Sequence, residues 1–280
     1  NIEKYLPLSD NTTDDQIRYA NVLYLSKNYN EAIAKMKELI AKGNELPYMY
    51  RVIAFSQYET KDYANAQDNM TKFFSKQDPK KVIPLDYFYY GKSLLHDSTK
   101  KSMASEQFEK GLAIDTTTDK ASTIRSIAEA YYEAEDYATS AQWYKKLAQS
   151  NYATKEGRDY WWAGYMSYYS NDYTTAKEMF LEYNKVNPTE PIGVLWLART
   201  EEKMNDKDYK NGAASAYYNQ WLGMVQENDE TKKKDFTKAY TYLAMVAYNS
   251  NNKADVKKYA DKLFLFNPED DTAKQLIKAL

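Results

Sequence analysis

The stretch from Tyr160 to Phe180 reads YWWAGYMSYYSNDYTTAKEMF, and eight of its 21 residues are Tyr, Trp or Phe. So many rings could stack on a sugar, wall a cofactor pocket, or pack a repeated helical unit. Residues able to make and break bonds are scarcer. The chain has no Cys, which excludes disulfides, zinc–thiolate sites and thiol nucleophiles. Its one His, His96, stands before Asp97-Ser98-Thr99. A lone imidazole at a helix end suits the negative pole of the helix dipole better than general-base catalysis. Neither GxGxxG nor GxxxxGK(S/T) occurs, so no dinucleotide or phosphate cradle is indicated. Asp14-Asp15 and Glu269-Asp270-Asp271 read as helix starts, where acids meet the positive pole. Lys232-Lys233-Lys234, flanked by Glu230 and Asp235, reads as a solvated loop. These residues predict no enzyme, no catalytic or metal site and no cofactor.

Charge and composition narrow the partners. With 38 Lys+Arg against 40 Asp+Glu the net charge is -2, and without a basic stripe nucleic acid is not expected. Hydrophobic residues make up 43% and charged ones 28%, with a mean hydropathy of -0.81, as suits a helical protein with a large wetted surface. Gly 8 and Pro 7 are too few for the turns of an all-β chain. No run approaches the roughly 18 apolar residues of a membrane span. The sequence begins at Asn1 rather than Met. An N-terminal segment is therefore expected to have been removed, and any signal peptide or lipid anchor would have lain there.

The elements that must position the rings emerge from a repeat. Small residues recur at Ala20, Ala54, Gly91, Ala128, Gly164, Ala198 and Ala244, with spacings of 34, 37, 37, 36, 34 and 46. Twelve positions on comes a second small residue at Ala32, Ala66, Ser140 and Ala176. A tyrosine precedes it by three (Tyr29, Tyr63, Tyr137, Tyr173) and a larger apolar residue follows by four (Met36, Met70, Tyr144, Phe180). Steps of three and four keep residues on one helix face. Small residues let two helices approach and the large ones fill the layer between them. Short polar turns separate the helices: Ser26-Lys27-Asn28, Thr60-Lys61-Asp62, Glu135-Asp136 and Ser170-Asn171-Asp172. The pattern is one of paired helices, stacked.

The unit Tyr160-x2-Ala163-Gly164 … Tyr173-x2-Ala176-x3-Phe180 … Pro188 resembles the tetratricopeptide repeat (TPR), whose period is about 34 residues. The resemblance covers residues 13–46, 47–83, 84–119, 120–155, 156–189, 190–232 and 233–268, with a capping helix at 269–280. It implies an all-α, right-handed superhelical solenoid forming a single array. The third repeat carries one extra residue before Ala104-x3-Phe108. The sixth departs most, with Asp206 to Gly212 inserted before an expected longer second helix through Ala213 and Tyr217. The seventh has Val256 and Ala260 where a small and a large residue are expected.

By the same resemblance, the inner face lies three before, and one, four and five after, each first small residue. This implies partner contacts at Arg51, Phe55, Tyr58, Phe88, Lys92, Arg125, Tyr132, Trp161, Tyr165, Tyr168 and Tyr169, as exposed rings bracketed by cations. Some eukaryotic members grip chaperone tails with a clamp of Lys, Asn and Arg. Here Asn21 matches, but Ile17, Ser122 and Ser126 stand where cations are required, so that partner is not expected. The expected function is a non-enzymatic scaffold binding a peptide or protein segment. The alternative is a carbohydrate-binding role for the groove aromatics within a nutrient-uptake complex. The irregular sixth unit and the loop from Gln226 to Phe236 resemble the closing repeats of exported proteins of Gram-negative bacteria. A periplasmic or outer-membrane-anchored location is expected on that basis.

Overall fold

The computed structural model describes residues 12–117, 119–152, 157–226 and 229–279. Its regular elements are helices throughout, fifteen of them, following one another as seven antiparallel pairs and a terminal helix among the described residues. The chain forms two compact units, residues 1–123 and 124–280.

The first unit holds α1 (Thr13–Leu25), α2 (Tyr29–Ala41), α3 (Pro47–Glu59), α4 (Tyr63–Lys76), α5 (Pro84–Leu94) and α6 (Lys101–Ile114). Helix α1 opens with a capping box. The Thr12 hydroxyl accepts the Asp15 amide at 3.2 Å and Asp15 accepts the Thr12 amide at 3.1 Å. Pro47 and Pro84 occupy the first turns of α3 and α5, where a missing N–H leaves no bond unmade. Ala20, Met36, Leu39, Met49, Val52 and Ile53 bury into one apolar cluster, and Tyr50, Ala54, Phe55, Met70 and Phe73 into the next.

The second unit holds nearly all of α7 (Lys120–Glu133), then α8 (Tyr137–Ala148), α9 (Arg158–Tyr169), α10 (Tyr173–Val186), α11 (Pro191–Asn205), α12 (Ser215–Met224), α13 (Lys233–Asn249), α14 (Lys253–Phe266) and α15 (Asp271–Lys278). Gly164 of α9 lies under the Phe180 ring of α10, so close that an added Cβ would sit 2.8 Å from Cε1. Further along the chain, Trp221, Tyr218, Phe236 and Tyr242 are buried with Ala244, Val256 and Ala260 in the largest apolar cluster.

One turn device recurs between paired helices. Lys27, with φ 64°, is left-handed; its N–H donates to the Tyr24 carbonyl at 2.9 Å, and the Asn28 N–H donates to the Leu23 carbonyl at 2.8 Å. This is a Schellman closure, which satisfies carbonyls that the helix end would leave bare. Lys61, Glu135, Asn171 and Asn251 repeat it at φ 63°, 55°, 65° and 56°. The next residue then starts the partner helix. Asp136, Asp172 and Asn252 accept the backbone amides of Thr139, Thr175 and Asp255.

The sixth pair corrects two expectations. Its second helix is shorter than most, ten residues beginning at Ser215. The reason is Asp206, 3% exposed, whose carboxylate gathers the inserted loop. It accepts the amides of Lys210 at 2.7 Å, Asn211 at 3.0 Å and Gly212 at 2.9 Å, and the Tyr242 hydroxyl from α13. Chain spent on that turn is not available to the helix. Lys233 and Lys234 do not lie in a loop but open α13, while Lys232 pairs with Asp229. Residues 227 and 228 of the loop from Gln226 to Phe236 lie outside the described residues.

Candidate functional site: an aromatic face on the first helices

The first helix of each pair has a side left over after its small residue has met the second helix. The expected partner-binding residues lie on these helices, and the structure sorts them into three kinds.

The arginines are spent on packing. In the first unit, Arg51 Nη2 donates to Asp86 Oδ2 at 2.7 Å, with Nε 2.6 Å from Oδ1, and Asp86 is fully buried. In the second unit, Arg125 meets Asp159, 2% exposed, through Nε and Nη2 at 3.1 Å. Each pair joins the first helix of one repeat to the start of the first helix of the next. Buried carboxylates need such partners, since an unpaired buried charge is strongly destabilising. Burial pushes the Asp86 carboxyl above the usual carboxylate range despite the opposing pull of the Arg51 hydrogen bond. The two arginines expected to bracket a groove are therefore ties between repeats. Lys92 is half-buried on α5.

Two of the expected contact rings are packing. Phe55 is 4% exposed and lies face to face with Tyr89 at 3.9 Å. The Phe88 ring presses on α6, so that a Cβ at Gly111 would lie 2.5 Å from its Cε1. Both correct the expectation of free rings. Tyr58 is half-buried, edge-on to Tyr89 at 5.3 Å and 5.5 Å from Tyr63. His96, proposed above as a helix-end cation, stacks on Tyr63 at 3.4 Å. Tyr89 donates to Glu59 at 2.7 Å, and burial and that bond push its hydroxyl far up.

The third kind lies on α7 and α9 in the second unit. Trp161 and Tyr165 are half-buried and face to face at 4.9 Å. Trp162 stands edge-on to both, at 4.9 and 5.8 Å. Tyr168 is half-buried and edge-on to Trp196 at 5.1 Å, and burial pushes its hydroxyl up to about 12. Two rings remain open: Tyr132 is 42% exposed and Tyr169 49%. Tyr137 lies 5.9 Å from the first and 6.2 Å from the second. Their open faces can receive apolar side chains and their hydroxyls can bond a peptide backbone. No cluster of His, Asp or Glu that could hold a metal occurs among the described residues.

Sequence reasoning missed Trp196. It is 6% exposed and touches Tyr165, Tyr168, Tyr169 and Phe180 at 4.9 to 6.2 Å, with the Arg199 guanidinium 4.8 Å from its centroid. It holds the α9 rings in place from α11. Its position two before Ala198 matches no inner-face offset, and a Trp there was the signal available.

No family model and no curated protein matches the chain by sequence. By structure, it is similar to the C-terminal part of a TPR repeat-containing protein from Cytophaga hutchinsonii, with TM-score 0.66 and 26% identity over 93% of this chain and 99% of that one. It is also similar to YrrB, described as a TPR protein with an unusual peptide-binding site, with TM-score 0.50 and 11% identity over 69% of this chain and 95% of that one. The repeated small-residue contacts, the paired helices and these likenesses agree, and the chain is an array of tetratricopeptide repeats.

Proposed function

We propose that this chain is a non-enzymatic protein-interaction scaffold that binds a peptide or partner segment over the aromatic face of α7 and α9. The observation that carries the reading is the pair Tyr132 and Tyr169, 42% and 49% exposed beside rings that are packed. Repeat packing does not need them, and aromatic side chains dominate the contacts that hold partners together. YrrB's described peptide-binding site supports the reading, since it sits on the same kind of fold. A sugar platform has less support, since the most exposed rings of the patch are the tyrosines Tyr132 and Tyr169, while Trp161 is half-buried with one side stacked on Tyr165. We place the scaffold in the periplasm or anchored at the outer membrane, a location that cell fractionation tests.

The test is quantitative capture. With a photo-crosslinking residue at Tyr169, envelope extract should yield a discrete protein adduct. The double substitution Tyr132→Ala and Tyr169→Ala should weaken binding of that adduct partner about tenfold or more, as loss of aromatic anchors does, with circular dichroism unchanged. Tyr248→Ala, 44% exposed but on α13 rather than α7 or α9, should leave binding intact. Equal effects from both changes, or protection by oligosaccharides, would overturn the reading.

A further inference from the structure

The start of α9 carries a second feature. Arg158, Trp161, Tyr183 and Ile192 line a cavity of about 390 Å³ within the second unit. Three of its walls are apolar surfaces, and one of them is fixed by glycines. Tyr183 and Asn184 press so close on Gly193 that a Cβ there would lie 2.5 Å from Tyr183 Cδ1 and 2.0 Å from Asn184 Oδ1. On the other side, a Cβ at Gly157 would lie 3.3 Å from Tyr183 Cδ2. A wall held this way need not be ordered when a ligand arrives, which favours binding.

Charge gives the cavity a direction. Arg51, Arg125 and Arg199 each meet the carboxylate of a following repeat. Arg158 is exposed and makes no ion pair among the described residues. Burial, and after it the charge of Glu190, push the Tyr183 hydroxyl up, so this wall stays neutral. The Trp161 wall is linked to one of the open tyrosines through packed rings: Trp161 lies 4.9 Å from Tyr165, and Tyr165 lies 4.8 Å from Tyr169.

We propose that this cavity receives an apolar side chain of the bound segment, with a carboxylate on the adjacent residue meeting Arg158. The inference rests on the peptide-binding reading above and gives it a partner chemistry, an acidic segment with an aliphatic anchor. A leucine beside an aspartate is the minimal form.

The experiment uses the full chain with ¹⁵N-labelled tryptophan, the Trp161 indole signal being assigned by its loss in Trp161→Phe. Acetyl-Leu-Asp amide should move that signal saturably. Acetyl-Leu-Asn amide should bind about threefold more weakly, the size expected of an exposed ion pair, and acetyl-Ala-Asp amide should barely move it. In Arg158→Gln, an exposed change that leaves the fold alone, the Asp and Asn forms should bind equally. An unmoved Trp161 signal, or an Asp preference surviving in Arg158→Gln, would overturn the proposal. If instead the dipeptide binds as expected while Tyr132 and Tyr169 prove irrelevant to partner capture, the cavity stands and the tyrosine patch falls.

Discussion

Gly164 stands where the Phe180 ring crosses from the partner helix, and Gly91 stands likewise under Phe108 at 2.5 Å from a would-be Cβ. Where the second helix carries Met36 or Met70 instead, the first helix has Ala20 or Ala54. At these two crossings glycine stands where a flat phenylalanine ring lies on backbone, whereas the fourth repeat pairs Tyr144 with Ala128. An alanine at Gly164 would gain about 1 kcal/mol of helix propensity, but its Cβ would meet three Phe180 ring atoms at 2.8 to 3.0 Å. Overpacking of that kind costs roughly 1–3 kcal/mol, so Gly164→Ala should lower stability in urea unfolding. Adding Phe180→Leu should make the same alanine neutral or favourable; an additive pair of losses would show that the ring is not the obstacle. These contacts were legible in sequence because a small-to-large step of helical spacing has one packing meaning. The role of the arginines was not. An offset says which way a side chain leaves the helix and not whether a carboxylate awaits it. Asp86 and Asp159, each five residues before the small residue of the next repeat, were the missing half of the signal.

At the level of elements, the sequence shows turns that are polar and short, and their backbone supplies the reason for their length. Three residues suffice because the middle one is left-handed and the third caps the next helix. Lys61 holds φ 63° without being glycine. A β-branched residue tolerates that region poorly, so Lys61→Val should lower stability by about 1–2 kcal/mol, while Lys61→Gly should be neutral or better. Equal melting of all three would mean that the turn relaxes freely. The inserted loop of the sixth repeat was legible as an insertion but not as a knot of hydrogen bonds. Spacing cannot show that a carboxylate is buried. Burial alone would push Asp206 up, but the Tyr242 hydroxyl and three backbone amides outweigh it and hold the carboxyl below its ordinary value. A carboxyl lower in the folded than in the unfolded state stabilises above its unfolded pKa, and that stability is lost as pH falls through the folded value. Asp206→Asn should therefore be less stable than the parent near neutrality, by about 1–3 kcal/mol as buried donors go unsatisfied. The gap should shrink under acid conditions. A gap that is constant with pH would remove the charge from the account.

At the scale of the whole molecule, the two compact units differ in what reports on them. All five tryptophans, Trp143, Trp161, Trp162, Trp196 and Trp221, lie in residues 124–280. Tryptophan fluorescence therefore follows the second unit, while far-ultraviolet circular dichroism follows helices of both. In a repeat array each unit touches its neighbours, and stability is a sum of local and nearest-neighbour contributions. Met70 is 1% exposed in the core of the first unit, and Met→Ala at such a site costs about 2–5 kcal/mol. Met70→Ala should then shift the dichroism transition to lower denaturant and broaden it, with the fluorescence midpoint moving much less. The reciprocal change, Trp221→Phe at a 1% exposed site in the second unit, should move the fluorescence midpoint first. The proposed partner-binding face lies on helices of the second unit, so binding should survive in Met70→Ala under conditions where dichroism already shows helix loss. Coincident transitions in both variants would mean that the chain unfolds as one cooperative body, and the local description of its stability would have to be given up.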